Sequence, residues 1–221
     1  MADRRRVIIA ITGASGTLLG VRLLELLRPL PDVETHLILS PAALRTMALE
    51  TDLAVEDVRG LADEVHGFRD IGASVASGSF RHDGMIVAPC SVKTLSAIAH
   101  CMAGDLITRA ADVCLKERRR LVLLFRETPL HAGHIDIMAR ATASGAIVMP
   151  AVLGLYYRPQ SVDDVIDHLA GRALDLLGIE AGHVRRWTGA RLDPEPSDRN
   201  EGGQDTAGEE NDHDQSDTAG L

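Results

Sequence analysis

Residues 7–16 read VIIAITGASG, and the fold follows from them. Val7 to Ile11 form an unbroken apolar run, the pattern of a strand buried on both faces. Thr12-Gly13-Ala14-Ser15-Gly16 then reads as a turn into a helix. Glycine lets backbone approach a ligand closely, and the first amides of a helix point at an anion. The pair predicts a phosphorylated ligand gripped where the first strand meets the first helix.

The same alternation repeats outward from this stretch. Strand-like runs fall at 7–11, 35–39, 85–88, 121–125 and 146–149. Helical patterns fall at 17–27, 41–49, 92–101, 106–116, 135–144 and 162–177. In the last of these, Val162, Val165, Ile166, Leu169, Ala173, Leu176 and Leu177 share one face at helical spacing. Strands alternating with helices imply right-handed βαβ units. The expected fold is α/β, a Rossmann-like or flavodoxin-like three-layer αβα sandwich on a parallel sheet. Ligands in such sheets bind beyond the carboxyl ends of the strands.

Polar motifs gather at those ends. Besides TGASG they are Ser40-Pro41, which reads as an N-cap with proline at N1, and Pro89-Cys-Ser-Val-Lys-Thr94. Arg126-Glu127-Thr128-Pro129 and the segment from Gly154 to Pro159 follow the last two strands. GASG lacks the spacing of a dinucleotide fingerprint, and no acid is clearly placed about 20 residues on to hold a ribose. A mononucleotide fits better than a dinucleotide.

The net charge of −9 is unevenly spread. Residues 189–221 hold ten acids and two bases, a charge of −8, which leaves 22 acids against 21 bases in residues 1–188. The acidic stretch has few large apolar residues and is expected to be a disordered tail behind a single flavoprotein domain of residues 1–188. A near-neutral body gives no sign of nucleic-acid binding. No run of 18 apolar residues is present, and the basic start leads straight into a strand, so neither a membrane span nor a signal peptide is expected. The expected compartment is the cytoplasm. Cys90, Cys101 and Cys114 lack paired spacing and read as reduced thiols. His131 and His134 have no neighbouring ligand cluster, so no metal is expected.

A second set is basic: Arg109, Lys116, Arg126 and Arg172, with Tyr156. Singly, several have structural explanations. Arg109 can pair with Asp112 three residues on. Lys116 opens the run KERRR, which suits a helix end. Arg172 can sit on a polar helix face, and Trp187 can anchor the end of the body. Arg126-Glu127 differs, because a charged pair at a strand end sits at the mouth of a cleft.

Taken together, TGASG, LETD at 49–52, ASGSF at 76–80, APCSVKTLSAIA at 88–99, LITRAADVCLKERR at 106–119, LVLLFRETPLHAGH at 121–134, GAIVMPA at 145–151 and YYRPQSVDDVIDHL at 156–169 resemble the flavin prenyltransferases, the UbiX family. The resemblance spans residues 5–188. It implies a flavodoxin-like, Rossmann-type sandwich assembled as a homododecamer, with active sites where protomers meet. It implies a metal-independent enzyme that joins a dimethylallyl group from dimethylallyl monophosphate to N5 and C6 of reduced FMN. Phosphate is released, and the prenylated FMN passes to UbiD-type decarboxylases.

By position, the resemblance assigns Gly13, Ala14, Ser15, Ser40, Ser91, Val92, Lys93, Thr94 and Arg126 to the flavin. Tyr156 and Arg172, with Lys116 and Arg126, are assigned to the prenyl phosphate. Ser15 and Glu127 are assigned to proton handling, and Glu50, Arg109 and Trp187 to further active-site positions. The chemistry suits these types: cations and a phenol stabilise a departing phosphate, and a carboxylate takes up the proton released on ring closure. One departure is Tyr156-Tyr157-Arg158-Pro159, where the family often has Tyr-His-x-Pro. Alternatives are a flavin-dependent cysteine decarboxylase of the same fold, or a non-enzymatic FMN carrier. Decarboxylases of that kind carry Pro-Ala-Ser-Ala-Asn-Thr where this chain has Pro-Cys-Ser-Val-Lys-Thr. A carrier has no use for a second phosphate site.

Overall fold

The computed structural model describes residues 4–180 together with Val184, Arg186, Trp187 and Gly189. Six strands form one parallel sheet: β1 Arg5–Ile11, β2 Val33–Leu39, β3 Glu64–His66, β4 Gly84–Cys90, β5 Arg120–Phe125 and β6 Ile147–Val148. Their order is β3-β2-β1-β4-β5-β6. The chain runs outward from β1 in one direction and then returns to continue from β4 in the other. The direction therefore switches between β1 and β4, and such a switch leaves a crevice at the carboxyl ends. The helices are α1 Leu18–Leu27, α2 Pro41–Glu50, α3 Val55–Arg59, α4 Val92–Ala99, α5 Leu106–Lys116, α6 Ala132–Ala143 and α7 Val162–Leu176.

The pleat of β1 divides the core in two. Val7, Ile9 and Ile11 pack with Leu23, Leu24 and Leu27 of α1 and Leu169, Ala173 and Leu174 of α7. Ile8 and Ala10 face the other way, onto Leu95 of α4, Ala110 and Cys114 of α5, and Ile137 of α6. Burying each large side chain contributes roughly 1.5–3 kcal/mol, so both layers hold the sheet. Gly20 fixes the distance between α1 and the sheet, because a Cβ there would lie 2.4 Å from the Ala88 carbonyl oxygen.

Five of the six strands and six of the seven helices follow the sequence pattern. β3 was not expected: it is three residues long, Val65 is exposed, and Glu64 supplies no apolar run. The strand expected at 146–149 narrows to two residues, because only Ile147 and Val148 pair with β5, on Val122 and Leu123. α3 has five residues, too few to show a period. By contacts the chain divides into units Met1–Arg186 and Trp187–Leu221. The acidic stretch expected to be disordered lies, apart from Gly189, outside the described residues.

Candidate active site at the carboxyl ends of the strands

A cleft of about 440 Å³ opens at the β1/β4 switch. Its size falls within the roughly 300–1,000 Å³ usual for small-ligand sites. Three helix starts line it. Ser40 caps α2, its Oγ accepting from the Ala43 amide at 3.0 Å, and Pro41 stands at N1. Ser91 caps α4, accepting from the Thr94 amide at 3.3 Å. Asp105 caps α5 and accepts from the Thr108 amide at 3.0 Å. Three positive helix poles and the cations of Arg45, Arg69 and Lys93 therefore meet in one cavity, which favours an anion. Asp105, the one acid among the described lining residues, has its carboxylate engaged by its own helix.

The floor of the cleft is fixed by backbone. Thr12 Oγ1 donates to the Pro89 carbonyl at 2.7 Å and accepts from the Ser91 amide at 2.9 Å, tying β1 to the start of α4. A Cβ on Gly13 would fall 2.3 Å from the Ala42 Cβ, so only glycine lets this turn lie against α2.

The start of α1 behaves differently from its sequence reading. TGASG was expected to grip a phosphate there, but a side chain occupies the place. Glu50, at the end of α2, accepts from the Gly16 amide at 3.0 and 3.1 Å, and from the Thr17 amide and hydroxyl at 3.0 and 2.9 Å. Partial burial opposes ionisation, yet hydrogen bonds from Ser15, Thr17 and Gly16 together hold the Glu50 carboxyl below its ordinary pKa. The anion that meets the start of α1 is this carboxylate, whereas the capped starts of α2 and α4 open onto the cleft. Ser15 is engaged with Glu50, while Glu127 accepts from the Thr128 amide at 2.9 Å. The two residues assigned jointly to proton handling are not bonded to each other.

Arg126 and Glu127 follow β5, beside β4, and the Arg126 amide donates to the Cys90 carbonyl at 3.1 Å. Neither lines the cleft, although Cys90, to which the Arg126 amide is bonded, immediately precedes the lining residue Ser91. Of the other residues assigned to the flavin, Gly13, Ser40, Ser91, Lys93 and Thr94 line it, and Ala14 and Val92 are their chain neighbours.

The residues assigned to the second phosphate do not converge within one chain. Tyr156 and Arg172 belong to the α7 side: the Tyr156 hydroxyl lies 3.3 Å from His168 Nε2, and Arg172 follows one turn later, bonded to Asp175 at 2.8 Å. Lys116 ends α5, in the opposite layer, and pairs with Glu117. Arg120 starts β5 only four residues on, which puts Lys116 at the amino edge of the sheet. A six-residue strand places that edge about 20 Å from the cleft. Arg109 pairs with Asp112 at 2.8 Å and donates to the Ala76 carbonyl at 3.1 Å, so its structural explanation is realised. Trp187 is 62% exposed and falls in the second unit.

Other polar groups have local roles. His131 and His134 stack at 3.7 Å at the start of α6. Cys90 and Cys114 are buried and free, with burial raising the Cys114 thiol to about 12. Among the described residues no group of three His, Cys, Asp or Glu side chains is placed to hold a metal. Sequence reasoning missed Arg45, Phe68, Arg69, Asp105 and Thr108. Arg69 and Phe68 come from the connection after β3, which shows no period. Asp105 and Thr108 could have been found as an Asp-x-x-Thr cap before α5.

A doubly wound sheet with capped helix starts and cations around its switch-point cleft defines a mononucleotide-binding α/β protein. Residues 1–173 match the Flavoprotein family. The chain is 53% identical over 188 residues to the flavin prenyltransferase UbiX of Escherichia coli K12, covering 84% of this chain and 100% of that one. The chain belongs to the Flavoprotein family and, within it, to the UbiX flavin prenyltransferases. The crystal structure of AnUbiX (PadA1) in complex with FMN and dimethylallyl pyrophosphate superposes with a TM-score of 0.83 at 51% identity, covering 85% of this chain and 99% of that one. A dodecameric FMN-dependent UbiX-like decarboxylase from E. coli O157:H7 gives 0.81 at 47% identity, covering 83% and 100%.

Proposed function

We propose that this protein is a flavin prenyltransferase acting on reduced FMN and dimethylallyl monophosphate. The observation that carries the reading is the cleft, whose capped starts of α2 and α4 suit a single phosphate. Ser40, Ser91 and Thr94 hold the flavin phosphate, with Arg45 and Lys93 balancing its charge. Gly13, Ala14, Ser15 and Val92 bring backbone against the ring. Reduced FMN, when bound, supplies the nucleophilic nitrogen and carbon.

The C–O bond of the prenyl phosphate breaks, and phosphate leaves with the bonding pair. Lys116, Arg126, Arg172 and the Tyr156 phenol stabilise the charge that grows on its oxygens. An aromatic face suits the allylic cation left behind, a role open to Trp187. The first bond, to N5, displaces the N5 proton, which leaves with the phosphate; ring closure would then need one proton delivered to the prenyl double bond and one lost from flavin C6, and Glu127 with Ser15 is the relay for both. Glu50 holds the Ser15 turn in place, and Arg109 braces the segment before β4. Lys116 lies far from the cleft of its own chain, so copies must complete each other's sites. The homododecamer provides this. The product serves a UbiD-type decarboxylase in the cytoplasm.

The test is anaerobic incubation with reduced FMN and dimethylallyl monophosphate, followed by mass spectrometry of the released flavin. A flavin heavier by one prenyl unit is expected. Unmodified FMN alone sinks the assignment. Glu127→Gln should bind FMN yet accumulate no ring-closed product.

A further inference from the structure

His168 is a buried polar side chain with no part in the site as described so far. It lies in the second turn of α7, 8% exposed, its ring stacked on Tyr157 at 4.2 Å. Nε2 lies 3.3 Å from the Tyr156 hydroxyl. Nδ1 is buried and has no hydrogen-bond partner. Burial, then the charge of Arg172, keep the imidazole pKa below its ordinary value, so the ring is neutral at pH 7.

A neutral imidazole donates from one nitrogen and accepts at the other, and a phenol has one hydrogen to give. With the proton on Nδ1, the fold would bury an N–H with no acceptor, and the Tyr156 hydrogen would be spent on Nε2. With the proton on Nε2, the ring donates to the Tyr156 oxygen, and Nδ1 is only an acceptor lacking a donor. Orphaned buried N–H groups are the rarer of the two. In the second tautomer the phenol hydrogen is not spent on His168, and Arg172 lies one helical turn beyond His168 on α7.

We propose that His168, protonated on Nε2, is a positioning residue that donates to the Tyr156 oxygen and so turns the phenol hydrogen towards an anion shared with Arg172. The inference rests on reading Tyr156 as a donor to the departing phosphate. Tyr157 stacking fixes the ring plane, and the short turn from Tyr156 to Ser161 fixes the distance.

The test is steady-state kinetics with reduced FMN and dimethylallyl monophosphate on Tyr156→Phe, His168→Leu, His168→Gln and the His168→Leu/Tyr156→Phe double variant. Loss of one oriented hydrogen bond to the transition state lowers kcat and kcat/KM roughly tenfold together. Tyr156→Phe and His168→Leu should each show this, with KM little changed. His168→Gln, whose amide N–H sits near Nε2, should recover most of the rate. The double variant should be no slower than Tyr156→Phe. A wild-type rate for His168→Leu beside an impaired Tyr156→Phe overturns the proposal and leaves the Tyr156 reading standing. A wild-type rate for Tyr156→Phe overturns that reading itself. Multiplicative losses in the double variant also overturn the proposal, because His168 would then act apart from Tyr156. Should the His168 variants fail to fold, nitrogen chemical shifts of the wild-type imidazole decide: a proton on Nε2 supports the proposal and a proton on Nδ1 overturns it.

Discussion

One methyl group at position 13 separates a tight turn from an open one. Gly13→Ala would bring its Cβ to 2.3 Å from Ala42, and both partners are backbone-fixed. The helix start must move outward, at a cost of about 1–3 kcal/mol. FMN affinity should fall at least tenfold, measurable by quenching of flavin fluorescence, and an unchanged Kd would remove the turn from the flavin site. Glu50 makes a second prediction at this scale. Its carboxyl is held below the ordinary value of 4.5, so its contribution is complete above that pH and is lost as the pH falls through the lower folded value. Glu50→Gln should lower stability at neutral pH by about 1 kcal/mol, a modest figure because the group is partly exposed. Its acid unfolding limb should be shallower than that of the wild type in denaturant titrations at pH 3 to 6. The role of Glu50 could not be read from the sequence by spacing, because its partners are 33 and 34 residues away.

Elements were legible where they were long and apolar. α1, α5 and α7 each repeat buried residues at helical spacing, and their ends fall within a residue or so of the expected limits. The Ser40-Pro41 reading was right in detail, since a side-chain cap and a proline at N1 both occur. β3 and α3 were invisible because their stability comes from the neighbours they join and not from their own pattern. Leu24 of α1, fully buried in the core layer that holds Val7, Ile9 and Ile11, tests how much the long elements contribute. Leu24→Ala should cost about 2–5 kcal/mol in urea unfolding while leaving the cleft residues chemically intact. A loss below 1 kcal/mol would show that the layer relaxes around the gap.

The whole molecule was legible as one sheet, but not as one site. Sequence resemblance brings Lys116, Arg126, Tyr156 and Arg172 to a single phosphate, whereas the sheet separates Lys116 from Tyr156 within a chain. No local pattern encodes that separation, because it arises from which layer each helix joins. Subunit mixing tests its consequence. Chains carrying Lys116→Ala and chains carrying Glu127→Gln, each inactive alone, should regain activity when co-assembled, since some sites then receive both wild-type residues. Persistent inactivity would place Lys116 in the same site as the Glu127 of its own chain. The acid response of the fold is also global. Burial, then the charge of Arg119, lower His82 from 6.5 to about 4. Between those values the unfolded chain takes up a proton that the folded one refuses, so stability falls as pH drops, by roughly 3 kcal/mol in all. His36 and His66 are lowered in the same direction. His82→Phe should flatten this part of the melting-temperature profile, and an unaltered slope would assign it to other groups. The Glu50 plug has one more effect, on which cofactors can enter. Strand order 3-2-1-4-5-6 is shared with dinucleotide-binding folds, which seat a pyrophosphate on the first helix. Here that seat carries a resident carboxylate, so a two-phosphate ligand would have to expel one anion before placing its own. A carboxylate from the far end of α2 thus already fills the seat that a second phosphate would need.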